Sequence, residues 1–80
     1  MNEELERLRA VVRAYLTERR VWNEWTGPMR DRLDRGDRSP PSEEFVQRQR
    51  HLADVLKAHQ DDLTRALDRL REVAPDLFDT

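Results

Sequence analysis

From Ser42 to Val73 the apolar residues recur every seven positions along two lines. Phe45, Leu52, His59, Ala66 and Val73 form one line. Gln49, Leu56, Leu63, Leu70 and Leu77 form the other. This repeat is that of an amphipathic helix with a coiled-coil-like seam. Such a helix cannot bury its stripe alone, so the rest of the chain, or another chain, must supply a neighbour.

The first half of the sequence offers one. Asn2 is suited to cap a helix with Glu3 and Glu4 in its first turn, and an apolar stripe follows. Leu5 and Val12 take the a positions and Leu8, Tyr15 and Trp22 the d positions. Val11, Leu16 and Trp25 widen the stripe to that of a core-facing bundle helix. Gly27-Pro28 is expected to bend this arm, because proline lacks a backbone donor and disfavours helical geometry at the residue before it. Pro28 also suits the first position of a new helix. The sequence therefore predicts a kinked first arm, helices 3–25 and 28–35, closed by Gly36 as C-terminal cap.

Pro40-Pro41 breaks the chain, Ser42 caps the long helix over 42–74, and Ala74-Pro75 ends it. A short tail, 75–80, follows and can fold Leu77 and Phe78 back or fray. The two arms are matched in length, about 48 Å at 1.5 Å per residue. A short connection between them favours an antiparallel hairpin. Paired positions then add to about 77. Leu8 stands level with Leu70, Val12 with Ala66, Tyr15 with Leu63, Trp22 with Leu56 and Leu33 with Phe45. Arg19 falls level with His59, giving one polar layer that can fix register, with Glu18 or Asp62 balancing its charge. The expected fold class is all-α: a single helical domain over 1–80, an antiparallel helical hairpin with a kinked first arm, predicted to dimerise into a four-helix bundle.

Composition narrows the function. The chain has 80 residues, no cysteine, 40% charged residues and a net charge of −2. Without cysteine there is no disulfide or thiolate metal site to reinforce so small a core. The acidic balance, with Asp31, Asp34 and Asp37 interleaved among Arg30, Arg32, Arg35 and Arg38, argues against nucleic-acid binding. No apolar run approaches a membrane span. The polar, acidic start has no secretory signal pattern, so the expected location is the cytoplasm.

Catalytic and cofactor chemistry find no support in the motifs. There is no cysteine nucleophile, and the two glycines cannot make a phosphate-cradling loop. His51 with Asp54, and His59 with Asp62, have i,i+3 spacing. The repeated Glu-x-x-His pairs of carboxylate-bridged metal bundles are absent. We expect no catalytic, cofactor or metal residues. What stands out is Trp22 and Trp25 beside the Gly-Pro bend, because tryptophan is enriched at binding hot spots.

The expectation is a non-enzymatic interaction or assembly module, an adaptor, regulator or inhibitor, which binds a protein partner or itself as a homodimer. Its binding residues would be Trp22, Trp25, Met29, Arg30, Arg35, Val55 and Leu67. Trp25-Thr26-Gly27 also spells W-x-G, and in this it resembles the small WXG-type substrates of type VII secretion. That resemblance implies a secreted helical hairpin pairing into a four-helix bundle. Two departures are that the motif lies inside the first arm and that no Tyr-x-x-x-Asp/Glu follows the second. A further alternative is a small-molecule- or metal-binding bundle organised around Arg19 and His59.

Overall fold

The computed structural model describes residues 2–79. The predicted domain and tail also take in Met1 and Thr80, which lie outside the described residues. Two helices make an antiparallel hairpin, α1 (Glu3–Asp34) and α2 (Glu43–Val73), and a 3-10 turn over Pro75–Phe78 follows. The molecule is a rod, 54 Å long and 22 Å wide.

Local chemistry sets each helix end. The Asn2 side chain accepts from the Leu5 N–H at 3.2 Å, and the Ser42 hydroxyl accepts from the Phe45 N–H at 3.1 Å. Each satisfies a backbone donor that a helix start leaves unpaired. Gly36 ends α1 with φ of 65°. Its N–H donates to the Leu33 carbonyl and the Asp37 N–H reaches back to the Arg32 carbonyl. This pair of bonds is the Schellman motif, which requires a left-handed residue and so favours glycine. The connection is held by the Asp37 carboxylate, which accepts from the Ser39 N–H at 2.9 Å. That bond, ahead of the nearby Arg32 and Arg35 charges, lowers the Asp37 pKa.

The first arm differs from expectation. One continuous helix runs where helices 3–25 and 28–35 were predicted, with Pro28 inside it. Gly27 has no Cβ to meet the proline ring, which removes part of the clash that normally drives the preceding residue out of helical geometry. Two side-chain donors also bond carbonyls of the preceding turns, although the carbonyl that Pro28 deprives of its helical donor is that of Glu24. Thr26 Oγ1 donates to the Trp22 carbonyl at 2.9 Å, and Gln49 Nε2 donates to the Trp25 carbonyl at 2.8 Å.

The antiparallel register is the expected one. Arg7 donates to the Arg69 carbonyl at 2.7 Å and to Glu72 at 3.0 Å. Gln49 meets Trp25, and Arg32 lies over the Phe45 ring at 5.2 Å. In each pair the residue numbers add to about 77, the value that a length-matched hairpin requires.

The face that α1 turns inward is not the expected one. Arg7, Val11, Ala14, Glu18, Val21, Trp25, Pro28 and Arg32 alternate at spacings of four and three, and every one is buried or half-buried. Leu5, Leu8, Val12 and Tyr15, which the a/d assignment put in the seam, are 40–49% exposed. The inner line carries the smaller side chains Val11 and Ala14 in its first half. On α2 the expected seam holds: Leu56 and Leu70 are buried, and Phe45, Leu52, His59, Leu63, Ala66 and Val73 are half-buried. The buried apolar core among the described residues is small: Val21, Leu56, Leu70 and Ala74. Ala74 is covered where the 3-10 turn folds back. There Phe78 is half-buried beneath Arg71 at 4.8 Å, and Leu77 stays exposed.

Candidate functional site: the uncovered face of the hairpin

At 100° per residue, Leu5, Leu8, Val12, Tyr15 and Leu16 fall in one stripe along α1. This stripe lies roughly a quarter turn or more from the line that packs on α2. Leu16 is the most open of the five, 60% exposed. Single exposed leucines need no explanation, but five large apolar side chains on one helix face form a contiguous patch, the surface feature that marks an interaction site.

Nearer the loop a separate shallow apolar groove lies between the arms. Trp25 and Met29 line it from α1, and Phe45, Val46, Gln49 and Ala53 from α2. Trp22 and Trp25 pack edge to face with centroids 5.5 Å apart at 61°, a favourable quadrupolar arrangement. Both rings are half-buried, so each contributes to the hairpin and still offers an edge to solvent. At the base of the groove the Gln49 Oε1 is buried with no hydrogen-bond partner. Such an acceptor costs free energy until a donor reaches it.

The residues expected to bind a partner are only partly brought together. Met29 joins Trp25 in the groove. Arg30 and Arg35 are exposed, while Val55 and Leu67 are half-buried. Val55 and Leu67 are set about a third of a turn apart around α2, so they flank opposite sides of the seam. Leu67 lies on the side of the α1 stripe and Val55 on the other.

The expected polar layer is rearranged. Arg19 points outward over the Trp22 ring at 5.9 Å, a cation–π contact. Its neighbour Glu18 takes the inward position, 8% exposed, at the height of His59. His59 is half-buried, with Nδ1 4.0 Å from Asp62, and Asp62 also pairs with Arg65. Arg19 and His59 therefore do not converge on one site. The opposite cleft between the arms is lined by Ala10, Ala14 and Ala66 with Glu6, Arg7, Asp62, Arg65 and Arg69, and takes in neither Arg19 nor His59. Arg7, in its lining, pairs with Glu72 and with Glu3, and these bonds raise the Arg7 pKa.

Trp25-Thr26-Gly27 lies within α1, in helical backbone, rather than at the turn between the helices. Among the described residues, no three His, Asp or Glu side chains converge as a metal site would require. No helix of the described residues is long and apolar enough to cross a membrane. Comparisons with protein-family models, with curated proteins and with solved structures found no match to this chain.

Gln49 was visible in the sequence as a polar break in the leucine line, but its task was not. The signal was positional: Gln49 stands level with Pro28. A polar side chain in one seam at the height of a proline in the other fits a donor that supports the interrupted turn.

Proposed function

We propose that this chain is a non-enzymatic interaction and assembly module that works by helix packing, and that it self-associates into an antiparallel four-helix bundle. One observation carries the reading: among the described residues the hairpin's own core holds four apolar residues and leaves five large ones uncovered on a single face of α1. A second hairpin laid on that face buries them and supplies the core that an 80-residue chain otherwise lacks. Nearer the loop, the edges of Trp22 and Trp25 and the groove beside Met29 offer a second apolar surface, with the aromatic side chains that are enriched at binding hot spots.

Leu8→Glu combined with Val12→Glu tests the reading. Both positions are exposed in the hairpin, so the helical signal of the variant is expected to match the parent in circular dichroism. Its mass by light scattering is expected to fall to that of one chain. A variant that associates as the parent does would show that this stripe is not the binding face.

A further inference from the structure

The groove near the loop is apolar inside and basic at its edge. Arg50 stands on its α2 wall, and no acid is among its described lining residues. Two more arginines hold fixed places beside it. Arg32 stacks over the Phe45 ring at 5.2 Å, toward the loop, and donates to the Ser39 carbonyl. Arg19 stacks over the Trp22 ring at 5.9 Å, and Trp22 meets Trp25 edge to face. A cation–π contact holds a guanidinium beside a ring and leaves N–H donors for a carboxylate. Among the described residues none of the three forms a salt bridge; those present involve Arg7, Glu3, Glu72, His59, Asp62 and Arg65.

The nearby acids do not cancel this charge. At 100° per residue Glu24 and Asp31 fall on the opposite-cleft side of α1, and Asp54 points away from α1. Glu43, in the first turn of α2, accepts from Gln47 Nε2 at 3.4 Å. A chain of net charge −2 therefore carries an apolar groove edged by bases.

We propose that this groove takes an amphipathic helix of a partner protein, one whose apolar anchors are bordered by acids. The proposal goes beyond self-association, because it concerns a surface separate from the stripe of Leu5, Leu8, Val12, Tyr15 and Leu16. Shape selects a helix. The α2 wall runs from Phe45 to Ala53, about 12 Å at 1.5 Å per residue, which is room for anchors at i, i+4 and i+7. A flat lipid surface does not follow a slot between two helices.

Charge selects the border of that helix. Carboxylates beside the anchors meet Arg19, Arg32 and Arg50, whereas lysines there would meet like charge. A second copy of this chain fits poorly. Its apolar stripe is bordered by Arg9 and Arg19 as well as Glu4, and its acid row, Asp54, Asp61 and Asp68, lies on a face of α2 without a large apolar residue.

Two synthetic helices with leucines at i, i+4 and i+7 and no tryptophan test this on the full chain, one bordered by glutamates and one by lysines. Trp22 and Trp25 are the chain's only tryptophans, so their fluorescence reports on the groove. The glutamate-bordered helix is expected to shift their emission to shorter wavelength and to bind at least tenfold more tightly than the lysine-bordered one. R19E/R50E, at two exposed positions, is expected to reverse that preference. R13E/R20E changes net charge equally on the other side of α1 and is expected to keep it. R19Q/R50Q reads the same effect as a smaller loss of preference if reversal impairs folding. Leu8→Glu with Val12→Glu leaves the groove intact and is expected to bind the glutamate-bordered helix as the parent does, whatever its own state of association.

Equal affinity of the parent for both helices, or no emission change with either, overturns the proposal. An emission change with vesicles of phosphatidylcholine and phosphatidylglycerol but with neither helix assigns the groove to a lipid surface and overturns it too. A change in the solution mass of the chain on R19E/R50E substitution would make the groove a contact between copies, again overturning it. Self-association through the stripe is decided separately, by the mass of the Leu8→Glu, Val12→Glu variant.

Discussion

Leu70→Ala is expected to leave the chain largely unfolded at moderate temperature. Leu70 is 3% exposed, at the end of the hairpin where α2 meets the N-terminal part of α1 and the returning 3-10 turn. Truncating a buried leucine costs about 2–5 kcal/mol, through lost transfer free energy and the cavity left behind. A domain of this size rests on only a few kcal/mol. At about 4–8 °C per kcal/mol the melting midpoint should drop by at least ~10 °C. The matched control is Leu33→Ala. Leu33 is 80% exposed near the end of α1, and its loss should change stability by no more than about 0.5 kcal/mol. Thermal melts at one fixed chain concentration compare the two, since association itself moves the midpoint. Equal shifts would mean that Leu70 is not the core residue the packing makes it.

Pro28→Ala is expected to have the opposite sign. Inside a helix proline forfeits a hydrogen bond and crowds the preceding turn, a cost of about 3 kcal/mol relative to alanine. Gly27 has already reduced part of the clash, so a gain of about 1–3 kcal/mol is expected, seen as a higher melting midpoint. If a separate helix began at residue 28, Pro28 would occupy its favoured first position, and alanine would bring no gain. The sign of the shift therefore decides between one continuous arm and two helices. A lower midpoint would contradict the continuous helix.

The parts of this fold that could be read from sequence are those governed by local chemistry or by period. Asn2, Ser42 and Gly36 mark their helix ends through bonds to backbone groups three to five residues away, so no distant residue is needed to recognise them. The α2 seam and the antiparallel register follow from heptad spacing and matched arm lengths. The helix through Pro28 could not be read locally, because one of its supports, Gln49, comes from the other arm.

The inward face of α1 was harder for a different reason. α1 carries two adjacent lines that can each serve as a seam, one rich in Leu, Val and Tyr and one mixing Val, Ala and Trp with Arg and Glu. Hydrophobicity favours the first. A single neighbouring helix covers only one line, and here it covers the second, leaving the more apolar line outward. Arg19 and Glu18 exchange roles for the same reason, since turning the helix by one residue exchanges the side chain that meets α2. Trp22 belongs to the first line and Trp25 to the second, and both are half-buried.

That outward line is the basis of the proposal that the hairpin is half of an assembly whose second half covers Leu5, Leu8, Val12, Tyr15 and Leu16. The most direct measurement is the solution mass of the unmodified chain by multi-angle light scattering across a micromolar concentration series, with circular dichroism on the same samples. The account predicts a mass of two 9.6 kDa chains at the upper concentrations, with helicity and melting midpoint rising as the dimer forms. A mass of one chain throughout, with full helicity and a cooperative melt independent of concentration, would contradict it.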